Sequence, residues 1–326
     1  MGRCHNSAIE MCAGLATAIS LEQSILRVHE EDAYMFTVER VTVLGSGRIG
    51  PGIAQVAAQI GKFDVTIFAQ RQDRIENGIA AIQKSLQRFV EKKLVSETEK
   101  AKILNRIHGT LNLKAACANA DLVIEAITED VEAKKRLLRE VDALASSRTL
   151  ITSNTSSIRI SELSSVMRRP KRFCGLHFFH PPQLNRLVEV TGGDQTSSKT
   201  IDAVLEIAKK MGKESVLLKK DSPGFIVNRI LVPALNAAAD LYAEDVAERN
   251  DIDRAVKLGL NWPMGPLELI DYIGADIVLQ MGLVLENELG QNYRPSPVLK
   301  QLVKDKCLGR KTGKGFYDWN DPQVKR

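Results

Sequence analysis

A short β-branched and apolar run, Val41-Thr42-Val43-Leu44, is followed at once by Gly45, Gly47 and Gly50. Behind the glycines Ile53, Ala54, Val56, Ala57 and Ile60 recur at helical spacing, so the stretch reads as strand, tight turn and helix N-terminus. Residues 64–69 read as a second strand. Residues 73–93 read as a long charged helix with Ile75, Ile79, Ile82, Leu86, Phe89 and Val90 on one face. Ser96-Glu97-Thr98-Glu99 is a helix start, residues 110–113 a short strand and residues 121–126 a buried strand. An amphipathic helix over 131–145, a strand over 150–152, a helix over 158–166 and strands at 173–177 and 187–190 continue the pattern. Strands alternating with helices predict a largely parallel, doubly wound α/β sheet.

The texture changes near Asp221. Ser222-Pro223-Gly224 carries helix-start chemistry, with Ser at the N-cap and Pro at the first helical position. Apolar residues then recur at helical spacing over 225–242, where Pro233 is placed to kink the run. Asn250-Asp251 caps a further helix through Val256 and Leu258, and Gly265-Pro266 starts another. The expected architecture is a doubly wound domain over 36–221 followed by an all-α domain over 222–326. Residues 1–35 read as a helical or disordered extension, or as sequence upstream of a natural start at Met35.

Length and composition narrow this picture. A chain of 326 residues, 26% charged and 44% apolar, accommodates two ordinary globular domains. Its 45 basic and 40 acidic residues are interspersed, and the net +5 argues against nucleic acid while suiting a small polyphosphorylated ligand. Five scattered cysteines without C-x-x-C spacing predict reduced thiols in a cytoplasmic setting. No apolar run approaches the ~20 residues of a membrane helix. Residues 11–21 imitate a secretory core, but Arg3 and Glu10 leave no positive segment ahead of it, so export is not expected.

Gly45-Ser46-Gly47-Arg48-Ile49-Gly50 is the G-x-G-x-x-G pattern in the context where it has physical meaning. Gly45 takes the tight turn, Gly47 lets a diphosphate approach the backbone and Gly50 lets the helix pack on the strand. The helix N-terminus then holds the anion, which predicts a dinucleotide site of Rossmann type. A proton acceptor is needed beside it. His177 closes an apolar run at a strand's carboxyl end, and twelve residues on Glu189 sits inside Leu187-Val188-Glu189-Val190. A His–Glu pair would take the proton released in an alcohol oxidation; the competing reading is a core histidine and a surface glutamate on an edge strand. His177, His180 and Glu189 fit metal spacing poorly, and no metal is expected. Ser153-Asn154-Thr155-Ser156-Ser157 would either cap the following helix or donate to a bound oxygen. Asn228 reads most simply as a buried amide satisfied by backbone.

Taken together these segments resemble the 3-hydroxyacyl-CoA dehydrogenase family. The resemblance is carried by the glycine loop with Gly-Ile-Ala-Gln, Glu-Ala-Ile-x-Glu ending at Glu129, Ser-Asn-Thr-Ser-Ser, Gly-Leu-His-Phe-Phe and Leu-Val-Glu-Val. Asp-Ser-Pro-Gly-Phe-Ile-Val-Asn-Arg, Pro-Met-Gly-Pro-x-Glu-Leu and residues 309–317 complete it. It implies reversible oxidation of a (3S)-3-hydroxyacyl-CoA, short-chain substrates such as 3-hydroxybutyryl-CoA first, to the 3-ketoacyl-CoA. It further implies His177 as the base oriented by Glu189, with Ser156 and Asn228 on the substrate oxygen. Glu129 and Lys134 would lie along the cofactor, Lys311 would close over it, Ser85 and Lys92 would touch coenzyme A, and the helical domain would form a homodimer. A relative acting on a free hydroxy or sugar acid, or a non-catalytic dinucleotide-binding protein, are the rival readings.

Two positions depart from the family pattern. His180 stands where the family usually has Asn beside the nicotinamide, which predicts an altered pH dependence. Ala69 stands where the family carries an Asp for the adenine ribose. With Arg48 and Arg71 near, this leans the expectation from NAD toward NADP or dual specificity.

Overall fold

A computed structural model describes residues 37–321, so the expectations for residues 1–35 lie outside the described residues. Its strands are β1 (Arg40–Leu44), β2 (Asp64–Phe68), β3 (Ile107–Thr110), β4 (Leu122–Glu125), β5 (Leu150–Ser153), β6 (Phe173–Phe178), β7 (Leu187–Gly192) and β8 (Glu214–Leu218). They form one sheet in the order β3-β2-β1-β4-β5-β6-β7-β8. All neighbours are parallel except β6 and β7. The order reverses direction between β1 and β4, the place where doubly wound sheets open a crevice at their carboxyl ends. β4 and β5 are buried along their whole length, as expected of strands covered by helices on both faces.

The helices of this part are α1 (Gly50–Gln59), α2 (Gln72–Glu91), α3 (Glu97–Asn105), α4 (Leu113–Ala118), α5 (Val131–Leu144), α6 (Ile160–Ser164) and α7 (Ser198–Lys210). After β8 the regular elements are helical: α8 (Val227–Ala243), α9 (Arg249–Gly259), α10 (Pro266–Ile273), α11 (Ala275–Leu289) and α12 (Pro297–Lys304). The architecture is thus a Rossmann-like sheet layer followed by an all-α C-terminal domain. Each has its own apolar cluster, one around Leu44, Val123 and Phe173 and one around Val232, Ile270 and Phe316. Phe225 belongs to the first cluster although it follows the last strand, so it pins the start of the helical part onto the sheet. Among the described residues no helix is long and apolar enough to cross a membrane.

Several local expectations are corrected. The third strand ends at Thr110 rather than starting there, because the Asn112 side chain accepts from Ala115 N at 3.0 Å and caps α4. Ser222 does not cap a helix: Phe225 takes φ +51°, and α8 begins only at Val227. Glu248, not Asn250-Asp251, precedes α9, and Leu258 on that helix is 79% exposed. The polar run at 153–157 does not cap α6, whose first N–H groups at Ile160 and Ser161 donate to Asp221 instead.

Candidate active site

β1 delivers the chain to Gly45, whose φ of +115° side chains rarely adopt. A Cβ on Gly50 would stand 1.9 Å from the Gly45 carbonyl oxygen, whereas one on Gly47 would meet nothing within 4 Å. No side chain caps α1, which starts here with Pro51 in its first turn. Tight contacts at the ends of the loop, open space at its middle and an uncapped helix N-terminus fit a diphosphate. Ile49 is the residue preceding α1, while Arg48 leaves the loop to donate to Ile273 O at 2.6 Å and Tyr272 O at 3.3 Å, at the end of α10. At the tip of β2, Ala69 is buried and the exposed Arg71 pairs with both oxygens of Asp73 at 2.8 and 2.9 Å.

The same sheet edge carries the histidine. The antiparallel pairing of β6 with β7 sets His177 directly opposite Glu189, and Nδ1 lies 2.8 Å from Glu189 Oε2. Glu189 is 1% exposed and lies on an interior strand between β6 and β8, so the edge-strand reading does not hold. Its second oxygen accepts from Ile226 N and Val227 N, both at 3.0 Å. A buried carboxylate needs such donors, and the N-terminus of α8 adds a favourable field. The imidazole rests against Phe179 and Phe225, at centroid distances of 4.5 and 5.6 Å. With Nδ1 donating to Glu189, Nε2 is the ring nitrogen left to face a ligand.

Between glycine loop and histidine lie the ends of β4 and β5. Glu129 Oε1 accepts from Thr155 Oγ1 at 2.6 Å, Ser156 N at 2.8 Å and Ser157 Oγ at 3.0 Å, holding the polar loop in place. Asn154 Oδ1 accepts from Phe178 N at 2.8 Å and ties this loop to the residue after His177. Asn228, 8% exposed, donates from Nδ2 to Ser156 O at 3.4 Å, so one side of its amide is satisfied by backbone. Lys134 is 1% exposed, its ammonium 2.6 Å from Glu125 Oε1 and 3.3 Å from Glu129 Oε2. Glu125 was visible in the sequence as a carboxylate inside a buried run, by the same reasoning that singles out Glu189.

Ser85, on α2, accepts from Gln183 Nε2 at 3.3 Å, and Lys92 is exposed just past that helix. Lys311 pairs with Asp276, Nζ to Oδ1 2.5 Å, on the exposed side of α11. His180 faces Tyr272 at 6.3 Å between ring centroids, and its Nδ1 is buried without a hydrogen-bond partner. Burial, helped by the charge of Arg48, pushes this imidazole down to about 4 from 6.5. It is therefore neutral at neutral pH. Between those two values the unfolded chain binds the proton and the folded one does not, so stability from this position is lost as pH falls from 6.5 toward 4. Discounted for the exposed part of the ring, the effect is roughly 1 kcal/mol. His180→Asn is expected to gain that much relative to wild type in urea unfolding at pH 4.5 compared with pH 7. An unchanged difference at the two pH values would contradict the depressed value.

Residues 40–222 match the 3-hydroxyacyl-CoA dehydrogenase NAD binding domain, and residues 224–319 the 3-hydroxyacyl-CoA dehydrogenase C-terminal domain. The chain is 45% identical over 278 residues to a probable 3-hydroxybutyryl-CoA dehydrogenase of Deinococcus radiodurans, covering 85% of this chain and 99% of that one. It is 42% identical over 282 residues to the 3-hydroxybutyryl-CoA dehydrogenase of Clostridioides difficile, with 86% and 99% covered. The crystal structure of (S)-3-hydroxybutyryl-CoA dehydrogenase from Ralstonia eutropha superposes with a TM-score of 0.81 at 39% identity, covering 86% of this chain and 99% of that one. Similarity that runs through both parts of the fold and nearly the full length of these relatives decides the matter: the chain belongs to the 3-hydroxyacyl-CoA dehydrogenase family.

Proposed function

We propose that the protein interconverts short-chain (3S)-3-hydroxyacyl-CoA and 3-ketoacyl-CoA thioesters. The observation that carries this reading is the buried His177–Glu189 pair on the same sheet edge as the glycine loop. When bound, a nicotinamide dinucleotide supplies the hydride acceptor or donor. His177 Nε2 takes the hydroxyl proton as the C3 oxygen becomes a carbonyl, and returns it in reduction. Glu189 fixes the tautomer and stabilises the imidazolium as it forms. Ser156 Oγ and Asn228 Nδ2 hold the substrate oxygen, the first from the loop ordered by Glu129, the second from the one buried position in the first turn of α8. To the coenzyme A moiety we assign Lys92, exposed just past α2, and Ser85, half-buried on that helix; an exposed ammonium suits a phosphate.

For the cofactor we propose use of both NADH and NADPH. Ala69 offers the adenine ribose no carboxylate, and the Arg71–Asp73 pair is exposed. Such a pair holds by about 0–1 kcal/mol, little enough for a 2′-phosphate to displace Asp73. Arg48 supports this less, being engaged by the carbonyls of Tyr272 and Ile273. Initial rates with NADH and NADPH, each with acetoacetyl-CoA and with free acetoacetate, test both statements. The expected result is turnover with either cofactor and at least tenfold preference for the thioester; equal rates on the free acid would remove the CoA reading. Exposed Ile230, Val246, Leu258, Leu260 and Leu283 leave apolar surface on the helical part, for which we propose homodimerisation. Sedimentation equilibrium is expected to give twice the chain mass, and a monomer at micromolar concentration would overturn it.

A further inference from the structure

The loop between β6 and β7 starts just past the catalytic histidine and touches the helix that carries Ser85. Gln183 on this loop donates from Nε2 to Ser85 Oγ at 3.3 Å. The loop itself is held from several sides. Lys213 gives its ammonium to Pro182 O at 2.5 Å and to Asn185 O at 2.6 Å. Asn185 Nδ2 donates to His180 O at 2.6 Å, and Leu184 N and Asn185 N both donate to Pro181 O at 3.0 Å. On the inner side Pro182 and Gln183 lie against Gly52 of α1, where a Cβ would stand 2.7 Å from Pro182 Cδ and 2.8 Å from Gln183 Oε1. Gln183 Oε1 is buried there without a hydrogen-bond partner. It meets the Gly52 hydrogen that takes the place of a Cβ, a weak C–H···O contact. Reversing the amide would press its two N–H donors against that C–H instead, and an orphaned donor is the rarer and costlier arrangement.

We infer that Gln183 is a positioning residue for coenzyme A recognition, which fixes the Ser85 hydroxyl as a donor to the ligand. The inference rests on the reading of Ser85 as a contact of the coenzyme A moiety. A serine hydroxyl has one proton and two acceptor positions. With Gln183 Nε2 donating to Oγ, one acceptor position is filled and the proton is left for the ligand. The phosphates and amide carbonyls of coenzyme A are acceptors that such a proton suits. Lys92 follows seven residues on, two turns along α2, so a cation and an oriented hydroxyl line one path. A neutral amide is the side chain this task needs. A carboxylate at 183 would take the Ser85 proton for itself and oppose the phosphates, and an apolar side chain would leave the hydroxyl free to rotate. Because the loop is continuous with β6 and β7 and stapled by Lys213, the span from the Ser85 contact to His177 is set by the fold.

The test is a double-mutant cycle on the full chain with Gln183→Leu, Ser85→Ala and both together. It is read as kcat and KM for acetoacetyl-CoA, the inhibition constant of free coenzyme A, and NADH affinity by fluorescence titration. Gln183→Leu keeps the bulk of the side chain and removes the donor. It is expected to raise KM and the inhibition constant about threefold to tenfold, the effect of one oriented hydrogen bond, with kcat and NADH affinity within about twofold. The double variant is expected to match Ser85→Ala, because both changes remove the same contact. Gln183→Glu is expected to do more harm than Gln183→Leu, at least about tenfold, since it reverses the hydroxyl as well as adding a negative charge. Losses that multiply, or a kcat that falls as KM rises, would show the loop shifting as a whole and overturn the inference. So would coenzyme A binding at wild-type strength in Gln183→Glu, which would mean that the amide offers Ser85 its oxygen, or in Gln183→Leu while Ser85→Ala binds weakly. Wild-type KM in Ser85→Ala would instead sink the reading it rests on, so the two failures are separable.

Discussion

His177→Gln is expected to lower kcat for acetoacetyl-CoA reduction by about 10²–10⁴-fold while leaving KM and cofactor affinity near their wild-type values. Glutamine approximates the reach of the imidazole and can still bond Glu189, so the pocket keeps its shape. What it lacks is a nitrogen that can take and return a proton. The hydride can move only as the C3 oxygen gains or loses that proton, and among the described residues no other titratable side chain hydrogen-bonds the Glu189 carboxylate. Because the change removes a function used in the transition state rather than in binding, it appears in kcat. Near wild-type turnover would take His177 out of the mechanism. A large rise in KM with kcat preserved would make it a binding residue instead.

Much of this site could be read before any coordinates, and the parts that could not share a cause. The run 41–44, the glycines and the helical face behind them are local, and a strand, turn and helix follow from neighbours alone. His177 and Glu189 were each visible as polar residues in buried runs. The residues offered their pairing as one of two readings and the resemblance implied it, but spacing alone could not decide, since the pair depends on β7 running antiparallel to β6 and on the register between them. The start of α8 was misplaced for a related reason: Ser222-Pro223 is good helix-start chemistry, but the free N–H groups at Ile226 and Val227 are claimed by Glu189 from across the fold. Lys134 shows the limit of residue type as a guide. The resemblance set it along the cofactor, but nothing in the first turn of a charged helix announces that Glu125 and Glu129 converge on its ammonium and enclose it. Arg48 reads as a cation suited to a 2′-phosphate and Lys311, by the resemblance, as one closing over the cofactor; in the fold they are held by carbonyls of α10 and by Asp276. β8 escaped notice because it is a half-exposed edge strand with no buried alternation to announce it.

The glycine loop permits a test that separates folding from binding within six residues. Gly50→Ala places a methyl group 1.9 Å from the Gly45 carbonyl oxygen, a backbone atom that cannot swing aside, so strand and helix must part. The expected cost is about 1–3 kcal/mol of stability, as for other overpacked sites, together with loss of dinucleotide binding. Gly47→Ala adds the same methyl group where nothing lies within 4 Å, and its stability is expected to stay within about 0.5 kcal/mol of wild type. Yet the open space at Gly47 is the space a diphosphate needs to reach the backbone N–H groups of the α1 N-terminus. NADH affinity is therefore expected to fall at least about tenfold, or 1.4 kcal/mol, in a protein that melts like wild type. Thermal unfolding and fluorescence titration of the two variants, run side by side, make the comparison. If Gly47→Ala bound NADH as wild type does, the diphosphate would not dock on this loop. If it melted early, the space would belong to the fold and not to the ligand.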